Sequence, residues 1–327
     1  MQNQRRGLLK LLLGAAAGFG SLSSWAQTWP DKAIKLILGY TTGGASDATA
    51  RIINRPLEQI LKQSVVTDYK PGAGASIGAE FVARAAPDGY TIGLTDTGPL
   101  CIMPHLRKVS YDPLTSFTPL SYICTTGLVL IVNPELPVNN IQELIAMAKK
   151  RPGSLSYASS GVGSVHHLAG ELFKARAGVS IVHIPYRGAG PALTDLVGGQ
   201  IPVMFATIGP ALSMISAGKA RALGVTSLTR SASLPNVPTI AERGLNGYEA
   251  VLRFYVMGPA KMPQLITTKL QSDFKTVVTD STVIAELKKL GNDEIGYKSP
   301  SEIEALIQDD YRKWGNLITQ TKITLDT

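Results

Sequence analysis

The 327-residue sequence has few of the residues that metal and disulfide sites need. It contains two cysteines, Cys101 and Cys124, and four histidines. The cysteines fit no recognisable framework, so a disulfide and two separate buried thiols are both open, and separate thiols are favoured. On a helix the adjacent His166 and His167 would point about 100° apart, which does not suit a shared zinc ion. We therefore expect no metal site and no cofactor.

The sequence also lacks long charged runs, tandem repeats and low-complexity tracts. Charged residues make up 17% of the chain, and no run of positive side chains is longer than Lys149–Arg151. The net charge of +8 is distributed along the sequence and does not indicate the clustered basic patch that is typical of nucleic-acid-binding proteins. The hydrophobic content of 44% is ample for a core. A length of about 300 residues is typical of one large or two medium domains.

The N-terminus has the pattern of a secretory signal peptide. A basic segment, Arg5–Lys10, precedes an apolar run, Leu11–Phe19, that is too short to span a bilayer. Ser24-Trp25-Ala26 then offers the small residues that a cleavage site requires. We expect cleavage after Ala26 and a soluble periplasmic protein without a lipid anchor. Export by the Sec route and by the twin-arginine route are both open.

Strands and helices alternate along the rest of the chain, which predicts an α/β fold with parallel sheets. The strand Ile34–Leu38 is followed by a Gly-rich turn and an amphipathic helix over Asp47–Leu61. The same arrangement recurs where the strand Leu155–Ala158 leads through a Gly-rich loop into a helix that Ser164 caps.

Two blocks of this kind predict two domains. The first comprises residues 27–125 plus 252–327, and the second comprises residues 126–251. We expect the chain to cross between them at Thr125–Gly127 and to return through a strand at Val251–Met257.

Both blocks have polar or Gly-rich loops at the carboxyl ends of strands, where open α/β sheets bind ligands. These loops cover residues 41–47 and 95–98 in the first block, and residues 159–164, 186–190 and 206–209 in the second. Facing blocks would bring all five loops into one cleft. The free N–H groups and positive dipole ends of the helices that follow favour an anion, and a carboxylate fits as well as a phosphate.

Motif-like segments are spread along the chain from residue 43 to residue 239. They are Gly43–Asp47, Pro71–Gly74, Ala86–Thr91, Tyr111–Pro113, Tyr157–Phe173, His183–Gly188, Pro191–Leu196, Gly198–Gln200, Gly218–Leu223 and Leu234–Thr239. Together they resemble the extracytoplasmic solute receptors of tripartite tricarboxylate transporters, the Bug family. The resemblance covers essentially the whole chain after the signal peptide.

The resemblance implies a two-domain α/β periplasmic binding protein of type II, a Venus-flytrap fold. Its parallel-rich sheets would be flanked by helices, with the ligand cleft between the domains. The implied function is a monomeric receptor, not an enzyme, that captures a small carboxylate and delivers it to the integral membrane subunits of the transporter. Backbone groups and ordered waters typically hold one ligand carboxylate, here between the loops Thr41–Asp47 and Ser159–Ser164.

The sequence departs from the family pattern at three places. Thr41-Thr42 replace a usual proline pair, Ala206 stands where many members have Asp, and Arg253 stands where many have Trp. Because an Asp suits a ligand amine, its loss together with Arg253 favours a ligand with a second anionic group and no amine. A solvated surface position is the alternative for Arg253.

The predicted ligand-binding residues combine these loops and departures. They are Tyr40, Thr41, Thr42, Gly43, Gly44, Ser46, Asp47, Thr95, Asp96, Thr97, Ser159, Ser160, Gly161, Val162, Gly163, Ser164, Tyr186, Arg187, Ala206, Thr207 and Arg253. Within this set we expect Arg187 to contact the ligand and a side chain at Gly163 to fill the ligand's space.

Two alternative functions are open. A receptor that signals to a membrane sensor would have the same binding site. An exported enzyme is the weaker alternative. Gly72–Gly78 resembles a nucleotide-binding glycine pattern, but the periplasm is poor in nicotinamide cofactors. Ser160 does not lie in a sequence motif that is typical of a nucleophilic serine.

Overall fold

The computed structural model describes residues 29–321 and 323–324. The predicted signal peptide and its cleavage site lie outside the described residues. The fold belongs to one compact unit that begins at Lys32. Within the described part of the chain, no helix is both long and apolar enough to cross a membrane.

Ten strands and ten α-helices make up the described fold. The strands are β1 Ile34–Leu38, β2 Val65–Tyr69, β3 Thr91–Asp96, β4 Phe117–Val132, β5 Ser156–Ser159, β6 Val182–Pro185, β7 Val203–Thr207, β8 Arg221–Val225, β9 Val251–Pro259 and β10 Asn292–Ile295. The helices are α1 Ala45–Leu61, α2 Ser76–Ala83, α3 Met103–Leu106, α4 Ile141–Lys150, α5 Val165–Ala177, α6 Ala189–Val197, α7 Ile208–Ser216, α8 Gln264–Thr279, α9 Ser281–Lys289 and α10 Pro300–Thr321. A π-helix at Gly98–Ile102 and a 3₁₀-helix at Ala241–Arg243 complete the set.

The strands form a mixed sheet in the order β2-β1-β3-β9-β4-β7-β5-β6, and β8 and β10 also pair with β4. β1 runs parallel to β2 and β3, and β5 runs parallel to β6 and β7. The two central strands, β4 and β9, pair antiparallel to their neighbours. The expected α/β fold is therefore confirmed, but the sheet is mixed where the sequence predicted mainly parallel pairing.

β4 is one continuous strand of 16 residues that includes Thr125–Gly127, where we expected the chain to cross between the domains. Residues up to Gly127 pair with β9, and residues from Leu128 onward pair with β7. The main chain stays extended while its partner changes, because neighbours on both sides satisfy its backbone groups. The proposed crossing point thus falls inside a strand, and the division into two domains stays a prediction.

Both cysteines are buried free thiols, in agreement with the favoured interpretation. Cys101 lies in the π-helix, and its thiol contacts the carbonyl of Ile307 on α10. Cys124 lies inside β4. Burial raises the pKa of both thiols far above the usual range, so neither is a reactive thiolate.

Candidate functional site

A small pocket lies at the carboxyl ends of β3, β5 and β7, between residues of the N-terminal and central parts of the chain. It comprises about 270 Å³ of space not filled by protein atoms, part of which is open to solvent. The lining residues are Tyr40, Gly44, Ala45, Ser46, Asp96, Ser160, His166, Ala189, Thr207, Leu252 and Phe254. Six of the predicted site residues are among them, namely Tyr40, Gly44, Ser46, Asp96, Ser160 and Thr207.

Four helices begin at this pocket. Ala45 starts α1, His166 lies in the first turn of α5, Ala189 starts α6, and Thr207 precedes α7. No side chain caps α1, α6 or α7, so their first N–H groups are available to a ligand. The positive ends of four helix dipoles converge here, while the lining set contains no Lys or Arg. The electrostatics suit a small anion held by backbone amides.

Asp47 builds the loop that precedes α1. Its carboxylate accepts hydrogen bonds from the N–H of Gly43 at 3.0 Å and the hydroxyl of Tyr69 at 2.7 Å, and Arg51 Nε lies 3.3 Å away. Burial raises the pKa of Asp47, but the hydrogen bonds from Gly43 and Tyr69 and the charge of Arg51 outweigh it, and the pKa is lowered. The ionised Asp47 side chain therefore stabilises the loop and does not line the pocket.

In the second Gly-rich loop, residues 159–164, two backbone N–H groups donate hydrogen bonds within the protein. The N–H of Gly161 donates to Ser159 Oγ at 3.1 Å, and the N–H of Gly163 donates to His167 Nδ1 at 3.2 Å. Ser164 caps α5 as predicted, accepting from the N–H of His167. The amides of Gly161 and Gly163 are thus already hydrogen-bonded, and the amides at the start of α1 are the freer donors.

The loops on the two sides of the pocket pack tightly against each other. A Cβ at Gly163, where φ is +78°, would collide with the sulfur of Met103. A Cβ at Gly190 would come within 2.7 Å of the carbonyl oxygen of Thr42. The N–H of Thr41 donates to the carbonyl of Arg187 at 3.4 Å. The expectation that a side chain at Gly163 enters the ligand's space is wrong, because Met103 occupies that position.

Asp96 ends β3 and is 2% exposed. Its Oδ1 accepts hydrogen bonds from the N–H of Gly98 at 2.7 Å and the hydroxyl of Tyr40 at 3.3 Å. Burial raises the pKa of Asp96, the two hydrogen bonds lower it only in part, and the result is about 7. Near neutral pH this carboxyl group is therefore divided between its acid and its anion.

His166 and Thr207 present buried polar atoms without a partner. The hydroxyl of Ser160 lies 2.7 Å from His166 Nδ1, whereas His166 Nε2 has no hydrogen bond. Thr207 Oγ1 is likewise buried without a partner. Burial lowers the pKa of His166 to about 4, so the imidazole is neutral at neutral pH. Because buried polar atoms normally have partners, these two atoms indicate a polar ligand.

Three predicted ligand contacts lie elsewhere. The side chain of Arg187 is exposed and does not line the pocket. The hydroxyl of Tyr186 donates to Asp195 Oδ2 at 2.7 Å. Arg253 Nη1 lies 2.6 Å from both carboxylate oxygens of Asp310, so its charge is neutralised within the protein. Arg253 is neither a pocket residue nor a solvated surface residue, because the chain itself supplies a buried counter-ion.

The other predicted residues surround the pocket at a distance. Thr97 Oγ1 accepts from the N–H of Arg253, and Ala206 is part of a buried apolar cluster. Thr42 and Gly43 are exposed, and Thr95 lines a separate cavity beneath the pocket. Val162 is half-buried, with its carbonyl packed against Gly74.

Five lining residues were missed from the sequence. They are Ala45, His166, Ala189, Leu252 and Phe254. Ala45 and Ala189 could have been found as the first residues of α1 and α6, had those helix starts been placed correctly. His166 is the second residue after the Ser164 cap, which is a usable signal. Leu252 and Phe254 look like ordinary core residues of β9, and nothing in the sequence distinguishes them.

An α/β fold with a mixed sheet and an anion-suited pocket at several helix N-termini is that of a periplasmic solute-binding receptor. The model of the tripartite tricarboxylate transporter receptor family matches residues 49–323. BugT of Bordetella pertussis is 33% identical over 309 residues, which are 94% of this chain and 94% of BugT. The chain belongs to this receptor family.

Solved structures agree with this assignment. A protein of R. palustris solved with adipate superimposes with a TM-score of 0.87 at 33% identity, covering 90% of this chain and 99% of the other. MatC from Rhodopseudomonas palustris with bound malate gives a TM-score of 0.84 at 27% identity, covering 89% of this chain and all of the other.

Proposed function

We propose that this protein captures a small carboxylate in the periplasm and delivers it to the membrane subunits of a tripartite tricarboxylate-type transporter. One observation carries the proposal: four helix N-termini converge on a pocket that has no Lys or Arg in its lining. Backbone dipoles alone make such a pocket attractive to one anionic group. Relatives whose structures hold adipate and malate support the same class of ligand.

The ligand carboxylate would be held mainly by the N–H groups at the start of α1, from Ala45 and Ser46. Ser160, His166 and Thr207 line the same pocket and would supply polar contacts to the ligand. Residues 27–125 plus 252–327 and residues 126–251 would act as two lobes. A ligand that bridges both lobes favours the closed form, because only that form completes its contacts.

Binding without catalysis fits the chemistry of the pocket. Ser160 and His166 form a hydrogen-bonded pair, but the other imidazole nitrogen has no carboxylate to orient it. An imidazole whose pKa is lowered to about 4 is a weak general base at neutral pH. Ser76 lies in a Gly-x-Ser-x-Gly sequence, Gly74–Gly78, yet its hydroxyl donates to the carbonyl of Ala73 and does not line the pocket.

Export would follow the signal peptide, with cleavage after Ala26 and a mature chain that acts as a monomer. The N-terminal basic and apolar segments support this part of the proposal. Mass measurement of the exported protein tests it, and a mass that retains residues 1–26 would contradict it.

The binding proposal is tested by removing one backbone donor. Ala45→Pro deletes the N–H at the first position of α1, where proline is tolerated, and places a ring carbon there instead. Ser281→Pro makes the same change at the first position of α9, away from the pocket, and is the control. A hydrogen bond to a charged group contributes about 1.5–3 kcal/mol, so Ala45→Pro should weaken binding roughly tenfold or more.

The ligand for this test comes from a thermal-shift screen of mono-, di- and tricarboxylates and aromatic acids against wild-type protein. A ligand at a hundred times its dissociation constant stabilises the fold by about 2.7 kcal/mol, which is a shift of a few degrees. If only sugars or amines shift the transition, the proposal is wrong. If Ala45→Pro binds the acid as tightly as Ser281→Pro does, the carboxylate lies elsewhere.

A further inference from the structure

A buried carboxyl group lines a pocket whose helix dipoles favour an anion. Asp96 is 2% exposed and shares the pocket with Gly44, Ala45 and Ser46 at the start of α1. An ionised ligand carboxylate in this pocket would be repelled by an ionised Asp96, because the buried carboxylate of Asp96 is poorly screened by water. Asp96 therefore constrains both the charge of the ligand and the pH at which it binds.

No cation faces Asp96 from the elements packed against it in the described part of the chain. Tyr40 follows β1, Cys101 lies in the π-helix, and Tyr111 lies in the loop before β4; all three are uncharged at neutral pH. His166 on α5 is neutral as well. On β9, Asp96 pairs with Phe254, and the neighbouring arginine is held by Asp310. The charge of an ionised Asp96 is thus balanced only by dipoles and hydrogen bonds.

The geometry of Asp96 leaves one oxygen for a proton. Both of its hydrogen bonds, from Gly98 and Tyr40, end on Oδ1. A proton on Oδ2 would make Asp96 a hydrogen-bond donor. Burial already raises the pKa of Asp96 to about 7, and a nearby ligand anion would raise it further.

The rest of the lining is uncharged. Leu252 and Phe254 present apolar surface, while His166 Nε2 and Thr207 Oγ1 are buried polar atoms without partners. The neutral polar atoms can bond a hydroxyl or carbonyl group of a ligand, but they cannot neutralise a second carboxylate.

Building on the proposed function, we propose that the pocket binds an acid with one ionised carboxylate and an uncharged remainder, and that Asp96 takes up a proton when this ligand binds. The ligand carboxylate lies at the start of α1, and protonated Asp96 donates to a neutral acceptor on the ligand. Asp96 in this way couples binding to proton uptake, and the uncharged remainder of the lining disfavours dianions because it leaves a second ligand carboxylate without a counter-ion.

The test measures affinity by titration calorimetry for matched acids. Butyrate, 3-hydroxybutyrate and hexanoate are compared with succinate, malate and adipate, each at about pH 6 and about pH 8. We expect monocarboxylates to bind wild-type protein better than their dicarboxylate counterparts. Because the group titrates near 7, affinity should fall about tenfold between these two pH values, with uptake of about one proton per ligand at the higher pH. Repeating the wild-type titrations in buffers of different ionisation enthalpy measures this proton uptake without the use of a variant.

Two variants test whether Asp96 is the group that causes the pH dependence of binding. Asp96→Asn keeps the shape of the side chain and should abolish both the pH dependence and the proton uptake. Asp309→Asn removes a carboxylate whose side chain is 68% exposed on α10, and should keep the wild-type profile. Dicarboxylates that bind as well as monocarboxylates at both pH values, or a wild-type affinity independent of pH, would overturn this inference while leaving a carboxylate receptor intact. If none of the six acids binds at either pH, the inference fails together with the proposed function.

Discussion

Asp96 and His166 should give the apo protein two opposing pH dependences of stability. Asp96 has a folded pKa raised from 3.8 to about 7, so between these values the folded state holds more protons and stability falls as the pH rises. His166 has a folded pKa lowered from 6.5 to about 4, so the unfolded state holds more protons there and stability rises with pH. The two effects oppose each other over most of the range from 4 to 6.5.

The magnitudes follow from the shifts. Each pKa unit corresponds to about 1.36 kcal/mol, so burying Asp96 costs roughly 4 kcal/mol above its folded pKa, and burying His166 costs roughly 3 kcal/mol below its own. Asp96→Asn should therefore stabilise the protein relative to wild type by about 1–4 kcal/mol at pH values above 7, and by little at low pH. His166→Asn, which retains a partner for Ser160 at the position of Nδ1, should relieve the opposite penalty as the pH falls below 6.5.

Urea denaturation of the apo proteins at half-unit pH intervals measures both differences. The stability of wild type is subtracted from that of each variant at the same pH, so titrations of all other groups cancel. Asp309→Asn is the control for loss of a surface carboxylate and should give a flat difference. The reasoning is refuted if the Asp96→Asn difference is also flat, or if it decreases with increasing pH.

Two other predictions concern residues whose roles the structure revised. Gly163→Val should destabilise the apo protein by about 2–5 kcal/mol in urea denaturation, because the strain of a positive φ and the clash with Met103 both contribute. Gly153→Val has a similar φ in open space and measures the cost of the backbone strain alone. Equal losses of stability in the two variants would exclude the clash. Arg253→Met should lower stability by roughly 3–5 kcal/mol by leaving Asp310 buried without its counter-ion, and adding Asp310→Asn should recover part of it. If Arg253→Met weakens carboxylate binding and leaves stability unchanged, Arg253 is a ligand contact after all.

The sequence predicted several residues of the pocket because the signals are local. Glycines and a cap at a strand end are read within a few residues, and these signals predicted Gly44, Ser46 and Ser160, which line the pocket. Helix starts near proline were harder to place. α6 begins at Ala189, two residues before Pro191, because proline in the first turn gives up only an N–H that has no helical acceptor. A proline therefore does not mark the first residue of this helix, and the lining residue Ala189 was missed.

Charge states could not be predicted in the same way. Arg253 and Asp310 are 57 positions apart, and no pattern near either residue in the sequence predicts their ion pair. Asp96 was recognised as a site residue, yet its raised pKa depends on burial beneath segments that are distant in sequence. Long-range packing decides which charges are available to a ligand, and it reversed the expectation that Arg253 adds a positive group to the pocket.

A pocket that attracts an anion through dipoles alone also suits a protein that must release its ligand. A Lys or Arg in the lining would hold a carboxylate in any conformation, because a side-chain charge moves with its own lobe. Backbone amides of α1 and the polar atoms of Ser160, His166 and Thr207 come from different parts of the chain and line one pocket, while the loop at Gly163 packs against Met103 and the loop at Gly190 packs against Thr42. Separation of those loops would remove half of the hydrogen-bond partners at once and readmit water. In the proposed two-lobe receptor, affinity would therefore depend on closure, and a membrane partner that opens the cleft would release the ligand without a competing anion.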